Sequence, residues 1–512
     1  MVASRTRLAT RNVIATLIVS ILIFPLQFIN RYYMVRYLGV TYLGITSLYS
    51  NILSVLSLAD LGIGTAIIFM MYRPLAENNR RKITILMRYY RTIYRIIAII
   101  IFMLGIFVVP FFKIFLHSSI NYPHVYIIFF VYLMGTVTSY LFSYNQSLLY
   151  ADQQNRIYSW INLVVCYVMM IIQIVTVKLF KGPILYAILY VFTSFVTNLF
   201  VSLYVNRRYK LDYKKYREKL SYEELKELFS NVVGNMFLRM SGVIVTGTDS
   251  MLLSAFTNVV QVGFYANYLT ITNVIQQLMT KVIGASTGSI GNYSIEQDSS
   301  EAEKLFYKLQ FLNFIILNFA CLSIMFLSRD VITIWLGGKY VLPRLDIFLI
   351  TLSFYFMNYR MLGWNFVAVY GLAKYMKLFS VNEVIINFVA SFVFLKFMHL
   401  GIAGVVLGTI CSTILTVGWQ DPYIIFHYGF KAKVLPYFKQ YLVCLFAFFL
   451  EILILFIFDR TINTTISNTY THFLMCFFEI IITGILMIVI VFHRTNEFKF
   501  MLGLINKIVK RI

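Results

Sequence analysis

The sequence predicts an all-α polytopic membrane protein. It has about 14 transmembrane helices, in two parallel-related six-helix bundles around a central cavity, plus two C-terminal helices. Three observations predict this class. Hydrophobic types make up 60% of the 512 residues and charged types 13%, against roughly 45–50% and about 25% in soluble domains. The apolar residues gather into runs of membrane-crossing length. A weak internal similarity recurs at the spacing of six such runs. So few charges cannot cover a water-facing surface, which excludes a soluble enzyme, a disordered chain and a secreted disulfide scaffold.

A bilayer core needs about 20 mostly apolar residues per helical crossing. Such runs lie near 12–30, 42–71, 92–112, 123–146, 158–177, 183–205, 229–256, 261–291, 306–327, 343–370, 375–395, 400–420, 437–458 and 470–492. Arg5, Arg7 and Arg11 precede the first run. It is too long for a signal peptide and no A-x-A-like site follows, so it reads as a retained helix. Pro25 falls inside it, where a kink is expected. The longest polar stretch, Asn206 to Leu228, is too short for a folded soluble domain. The expected organisation is an N-terminal bundle over 1–205, a basic linker over 206–228, a second bundle over 229–430, and two further spans with a cytoplasmic tail over 431–512.

The net charge is +23. The two densest basic clusters, Arg73 to Arg95 and Arg207 to Lys226, fall on the same side of this span pattern. The excess of Lys and Arg marks that side as cytoplasmic and places both termini there. The clusters also suit anionic inner-leaflet lipid, so membrane lipids are expected partners. They flank helices and carry no nucleic-acid-binding motif, so nucleic acid is not. Many of the 38 tyrosines lie near span ends, as expected of interfacial belts.

The second and eighth runs begin alike, with Leu43-Gly44-Ile45-Thr46-Ser47-Leu48-Tyr49 and Val262-Gly263-Phe264-Tyr265-Ala266-Asn267-Tyr268. The offset is 219 positions for Gly44/Gly263 and 220 for Gly64/Gly284. Six spans is an even number, so the halves share one orientation. Gly284 with Gly288, and Gly62 with Ala66, set small residues four apart for close helix approach.

Ionisable side chains inside spans cost a few kcal/mol and usually face an interior cavity. The candidates are Asp60, Arg239, Asp249, Lys281, Arg360, Glu383, Glu451 and Glu479. Arg239 falls about 15 Å deep, near the midplane, and Asp249 about 15 Å further out on another face. Arg239, Lys281 and Arg360 are candidate binders of an anionic group, Arg being suited to bidentate phosphate contacts. Asp60, Asp249 and Glu383 are candidates for ion or proton coupling, or for pairing helices. Glu451 and Glu479, in the last two spans, suit lipid-edge or helix-contact roles.

Recognised chemistry is otherwise sparse. Neither GxxxxGK[ST] nor HExxH occurs, so no nucleotide site is predicted and no cofactor or metal is expected. The five cysteines, Cys166, Cys321, Cys411, Cys444 and Cys476, lie in apolar runs without zinc spacing and read as small buried hydrophobes. Transport is then driven by a substrate or ion gradient, with Na⁺ or H⁺ as the coupling choices.

Tyr37-Leu38-Gly39-Val40-Thr41-Tyr42-Leu43-Gly44, the stretch from Asn51 to Ala66, and Tyr72-Arg73-Pro74-Leu75-Ala76 together resemble the N-terminal signature of bacterial polysaccharide flippases. These belong to the multidrug/oligosaccharidyl-lipid/polysaccharide exporter superfamily. Thr248 to Phe256, Val262 to Tyr268, and Gly288-Ser289-Ile290-Gly291-Asn292 resemble the same family. The resemblance implies two six-helix bundles alternating access across the bacterial plasma membrane. It implies a polyprenyl-diphosphate-linked glycan as cargo, an undecaprenyl-diphosphate-linked oligosaccharide, and contact with polysaccharide polymerase machinery. No motif carries particular Arg or Lys positions over. The rival readings are a lipid II flippase or a multidrug exporter of the same superfamily, and then a membrane glycan polymerase or glycosyltransferase.

Overall fold

The protein is described from a computed structural model covering residues 2–509, except 61–62, 117–120, 217, 219, 224–241, 285–289, 291–298 and 466–467. The side chains of 2–11, 13, 59–60, 65–66, 374, 377, 461–465 and 504–509 also lie outside the description. Among the described residues the fold is helical throughout and contains no strand. Hydrocarbon leaves an unpaired N–H or C=O no water to bond, so apolar runs of this length close their hydrogen bonds within themselves.

The N-terminal unit, Met1–Ala266, contains α1 (Val2–Leu56), α2 (Ile63–Ala76), α3 (Arg80–Val108), α4 (Phe112–Leu116), α5 (Val125–Ala151), α6 (Asn155–Phe180) and α7 (Pro183–Tyr209). It also holds α8 (Gly242–Phe256) and the first turns of α9 (Val259–Gly284). The first two expected spans run together as α1, interrupted at Gly39, where φ is 86° and ψ 166°. Only glycine adopts that conformation readily. The expected kink residue, Pro25, keeps helical dihedrals.

The second unit, Asn267–Ile512, holds the rest of α9, then α10 (Ser299–Trp335), α11 (Arg344–Tyr359), α12 (Met361–Val369), α13 (Lys377–Lys396), α14 (Ile402–Leu415) and α15 (Val417–Ile424). A π-turn, Ile425–Phe430, leads to α16 (Leu435–Thr465), α17 (Thr469–Phe492) and α18 (Asn496–Val509). Each of the runs read from sequence coincides with a described helix, a broken helix or, for 229–256, the described α8. Among the described residues, ten helices are long and apolar enough to cross a membrane. The 343–370 run is divided at Arg360 and the 400–420 run at Thr416. Large side chains such as Phe107, Leu179 and Ile490 are 67%, 70% and 69% exposed, as a hydrocarbon-facing surface requires. The protein is a multi-pass membrane protein.

The first compact unit extends past the 206–228 linker to Ala266. Side-chain contacts explain this. Asn51 donates to Ser250 at 2.8 Å, Ser254 donates to the Phe115 carbonyl, and α9 crosses α1 at two glycines. A Cβ on Gly44 would stand 2.0 Å from the Val259 carbonyl oxygen, and one on Gly263 would stand 2.5 Å from that of Val40. The contact is reciprocal, because Val40/Val259 and Gly44/Gly263 are both separated by 219 positions. That is the pattern of an isologous crossing between repeated segments.

With no hydrophobic drive between helices in lipid, packing and hydrogen bonds hold them together. Tyr49 stacks on Phe112 with centroids 5.5 Å apart and meets Phe129 edge-on at 5.1 Å. Its hydroxyl donates to the Val125 carbonyl at 2.9 Å, and that of Tyr42 donates to Pro183 at 3.0 Å. Tyr42, Tyr49, Tyr90, Tyr186, Tyr268 and Tyr355 are fully buried, so these tyrosines serve cores and not interfacial belts. In the second unit Phe306 packs against Phe366, Phe426 and Phe430 at 5.1, 5.5 and 5.7 Å. Gly44→Val or Gly263→Val is expected to cost about 1–3 kcal/mol through overpacking, read as a lower thermal midpoint of the detergent-solubilised protein. Gly503→Ala, which meets nothing within 4 Å, is expected to leave the midpoint in place.

Candidate functional site

Each unit presents its own cluster of charge. In the second unit the centre is Arg360, at the break between α11 and α12. The break interrupts the helical ladder, and side chains of α10 reach the carbonyls there. Gln310 Nε2 donates to the Tyr359 carbonyl at 2.9 Å and Asn313 Nδ2 donates to it at 3.1 Å. The Arg360 guanidinium donates through Nε to Asp421 Oδ2 at 2.9 Å. A second nitrogen lies 2.6 Å from the same oxygen, and a third lies 3.4 Å from Glu383 Oε1. The plane lies over the Trp364 ring, 5.3 Å from its centroid.

This arrangement changes what Arg360 can do. One guanidinium faces two buried carboxylates, so the cluster is not a cationic surface for an incoming anion. Arg360 and Glu383 instead tie α11, α13 and α15 together. Asp421 escaped the sequence reading because it falls one residue beyond the 400–420 run. Its place in the broken stretch between Thr416 and Pro422 was the signal available. Lys281 lies in the last turn of α9, half-buried. That turn reaches α12 through Thr280 to Met361 Sδ at 3.9 Å and Asn365 Nδ2 to the Ile283 carbonyl at 3.2 Å.

The N-terminal unit differs. Arg31, near the middle of α1, donates to the Ala266 carbonyl at 2.8 Å, and its titratable neighbours are Tyr132, Tyr186 and Tyr190. Among the described residues it has no carboxylate partner. Next to it Asn30 donates to Gln173 at 2.7 Å, and Gln173 donates to Thr193 at 3.1 Å, a polar chain joining α1, α6 and α7. One turn further along α1, the Arg36 guanidinium bonds the Tyr32 hydroxyl and lies over its ring. Lys178 of α6 sits 4.4 Å from the Tyr33 ring centroid. Three cations and several tyrosines thus share one end of the unit. Arg31 falls one residue past the 12–30 run, yet no polar loop separates the first two runs: α1 continues through Arg31 to Gly39.

Asp249 is buried on α8, beside Tyr265. Arg239, Gly62 and Gly288 lie outside the described residues, as does the side chain of Asp60. Glu451 is buried between helices: it accepts from Asn318 Nδ2 at 2.7 Å and from Thr483 at 3.4 Å, a helix contact and not a lipid-edge position. Removing Asp421 leaves Arg360 short of its closer partner. Asp421→Ala is expected to destabilise the detergent-solubilised protein by about 3–5 kcal/mol, and an apolar replacement of Arg360, Glu383 and Asp421 together is expected to recover most of it; thermal unfolding of the two variants checks this.

Comparison with known proteins agrees with this architecture. Residues 9–287 match the family model described as polysaccharide biosynthesis protein. No curated protein matches the chain. Among solved structures, the lipid II flippase MurJ in an inward closed conformation is similar with a TM-score of 0.66, at 13% identity, over 94% of this chain and 99% of that one. An inward-facing multidrug resistance MATE family transporter of the MOP superfamily gives 0.63 at 15% identity, over 80% of this chain and 98% of that one. A MOP superfamily transporter from Pyrococcus furiosus gives 0.54 at 13% identity, over 83% and 97%. The chain belongs to the polysaccharide biosynthesis protein family and has the fold of the MOP-superfamily transporters.

Proposed function

We propose that the protein is a flippase that moves undecaprenyl-diphosphate-linked oligosaccharide units across the bacterial plasma membrane for surface polysaccharide biosynthesis. It works by alternating access, with both termini in the cytoplasm, and delivers its cargo to polysaccharide polymerase machinery. The observation that carries this reading is Arg31, a guanidinium set among tyrosines with no carboxylate partner among the described residues. Family membership supplies the process.

The diphosphate and the glycan are the parts of such a lipid that hydrocarbon rejects, while a polyprenyl tail can stay among acyl chains. A guanidinium pairs with phosphate oxygens through two parallel N–H···O bonds. Arg36 and Lys178 add positive charge beside Arg31, and the Tyr32 and Tyr33 rings offer flat faces to sugar rings. Arg239 and Lys281 would supply charge from 229–430. Asp60 and Asp249 are the positions for Na⁺ or H⁺ coupling. Arg360 and Glu383 hold helices in place. Cationic drugs do not suit a cluster of this sign, and the likeness to transporter structures supports transport over glycan polymerisation or glycosyl transfer.

A second reading, flipping of lipid II, is favoured by one observation. The likeness to the lipid II flippase extends over 94% of the chain, against 80% for the multidrug transporter. Deleting the gene and analysing lipid-linked sugars separates the two. Accumulation of a lipid-linked oligosaccharide with loss of surface glycan is expected; rescue of a strain depleted of its cell-wall precursor flippase would establish the second reading instead. Arg31→Glu, inserted at normal abundance, is expected to lower surface glycan by about tenfold or more, the scale of one lost charge-assisted contact, with Arg31→Lys intermediate. Full glycan in the Arg31→Glu strain would remove the basis of the proposal.

A further inference from the structure

A second cluster of polar groups lies away from Arg31 and Arg360, where the end of α10 meets α16 and α17. Asp330 comes from α10, Asp459 from α16, and His472 and Cys476 from one face of α17. All four are buried. The two α17 residues are four apart, the spacing at which side chains on a helix converge on one ion. We propose that His472, Asp459 and Cys476 form a binding site for a divalent transition metal of the Zn²⁺ type, with Asp330 as the residue that orients the imidazole.

The imidazole geometry is the strongest support. His472 Nδ1 lies 2.6 Å from Asp330 Oδ2, a carboxylate to which an Nδ1–H can donate; in that tautomer Nε2 carries the lone pair. A carboxylate behind the ring is the usual companion of a metal-binding histidine. Nε2 faces Asp459 Oδ1 at 3.4 Å. A tetrahedral Zn²⁺ with bonds of about 2.0–2.1 Å to nitrogen and oxygen holds those two donors about 3.4 Å apart.

The thiol completes the set. Ligand atoms of Asp459, His472 and Cys476 all lie within 4.8 Å of one another. Cys476 Sγ is 3.7 Å from Nε2 and 3.8 Å from Nδ1. It therefore lies beside the ring and not on the Nε2 axis, and ligation requires Sγ to move toward that axis.

The charges balance. Cys476 releases its proton to solvent water as the metal enters, since the thiolate is the ligand. A thiolate and the Asp459 carboxylate then neutralise the dication. Arg344, whose guanidinium donates to Asp459 Oδ2 at 3.1 Å, adds one positive charge to the cluster and Asp330 one negative charge. Imidazole, carboxylate and thiolate together favour Zn²⁺ over Mg²⁺ or Ca²⁺. The fourth position opens on a cavity of about 310 Å³ that His472, Asp459, Asp330, Arg344 and Asn468 help to line, with room for water. An ion here would fasten α17 to α16 beside α10.

The full chain, purified in detergent and stripped with chelator, tests the site with Zn²⁺ or Co²⁺ alone. One Zn²⁺ retained per chain after gel filtration is expected, and Co²⁺ should produce a thiolate-to-cobalt charge-transfer absorption in the near ultraviolet. Cys476→Ser should abolish that absorption while Cys444→Ser leaves it intact. Asp330→Asn should weaken Zn²⁺ binding about 10–100-fold, as loss of an orienting partner does. The wild-type titration stands by itself if a variant does not fold. Wild-type protein that retains no Zn²⁺, or a cobalt complex without the thiolate band, overturns the proposal and leaves a hydrogen-bonded acid–histidine cluster in its place.

Discussion

The dominant constraint on this molecule is that a polar group in hydrocarbon must find its partner inside the protein. Uninterrupted helices meet it automatically. Each interruption needs a local answer, and the answers differ. At Gly39 the chain leaves helical geometry through a conformation with φ of 86°, which a side chain would oppose. At Arg360 two α10 amides reach the Tyr359 carbonyl and two carboxylates hold the guanidinium. At Thr416 the hydroxyl turns back to the Ser412 carbonyl at 2.6 Å, and the segment beyond it carries Asp421 to Arg360. The second and third breaks are thus parts of one solution.

The same constraint sorts the cations into two kinds. A buried Arg with two carboxylates has its charge balanced by the fold, and removing either partner costs more than the pair contributes. Arg31 is satisfied differently, by a backbone carbonyl with neutral tyrosines as its titratable neighbours, and a carbonyl accepts from a guanidinium without cancelling its charge. A site for an anion needs a cation of the second kind. Place inside a span and positive charge ranked Arg360 with the anion binders; the structure adds the two carboxylates that face its guanidinium.

Fold class was legible because it depends on sums over long windows: apolar run lengths and the scarcity of charge survive any local error. The Gly44/Gly263 offset was legible for a related reason, since a crossing this close tolerates no Cβ on either helix. The site was less so. Asp421 and Arg360 are 61 positions apart, and nothing local in either announces the other. Arg31 was masked by treating the end of an apolar run as the end of a helix. Burial of Tyr42 and Tyr49 was hidden because a tyrosine near a span end looks the same whether its hydroxyl meets lipid headgroups or the first carbonyls of a neighbouring helix.

The last two spans illustrate how polar contacts decide what belongs to a membrane domain. Reading 431–512 as an appendage follows from counting six plus six plus two. Yet α16 and α17 lie within the second compact unit, and buried polar groups bind them there. Glu451 of α16 is held by Asn318 of α10 and Thr483 of α17. Asp330 of α10 and Asp459 of α16 flank His472 of α17. Apolar faces alone would let such helices exchange partners with lipid at little cost, because acyl chains are as apolar as leucine. A buried carboxylate or imidazole does not permit that exchange, since separating the helices would strand it in hydrocarbon. The polar residues of α16 and α17 therefore fix where the pair docks.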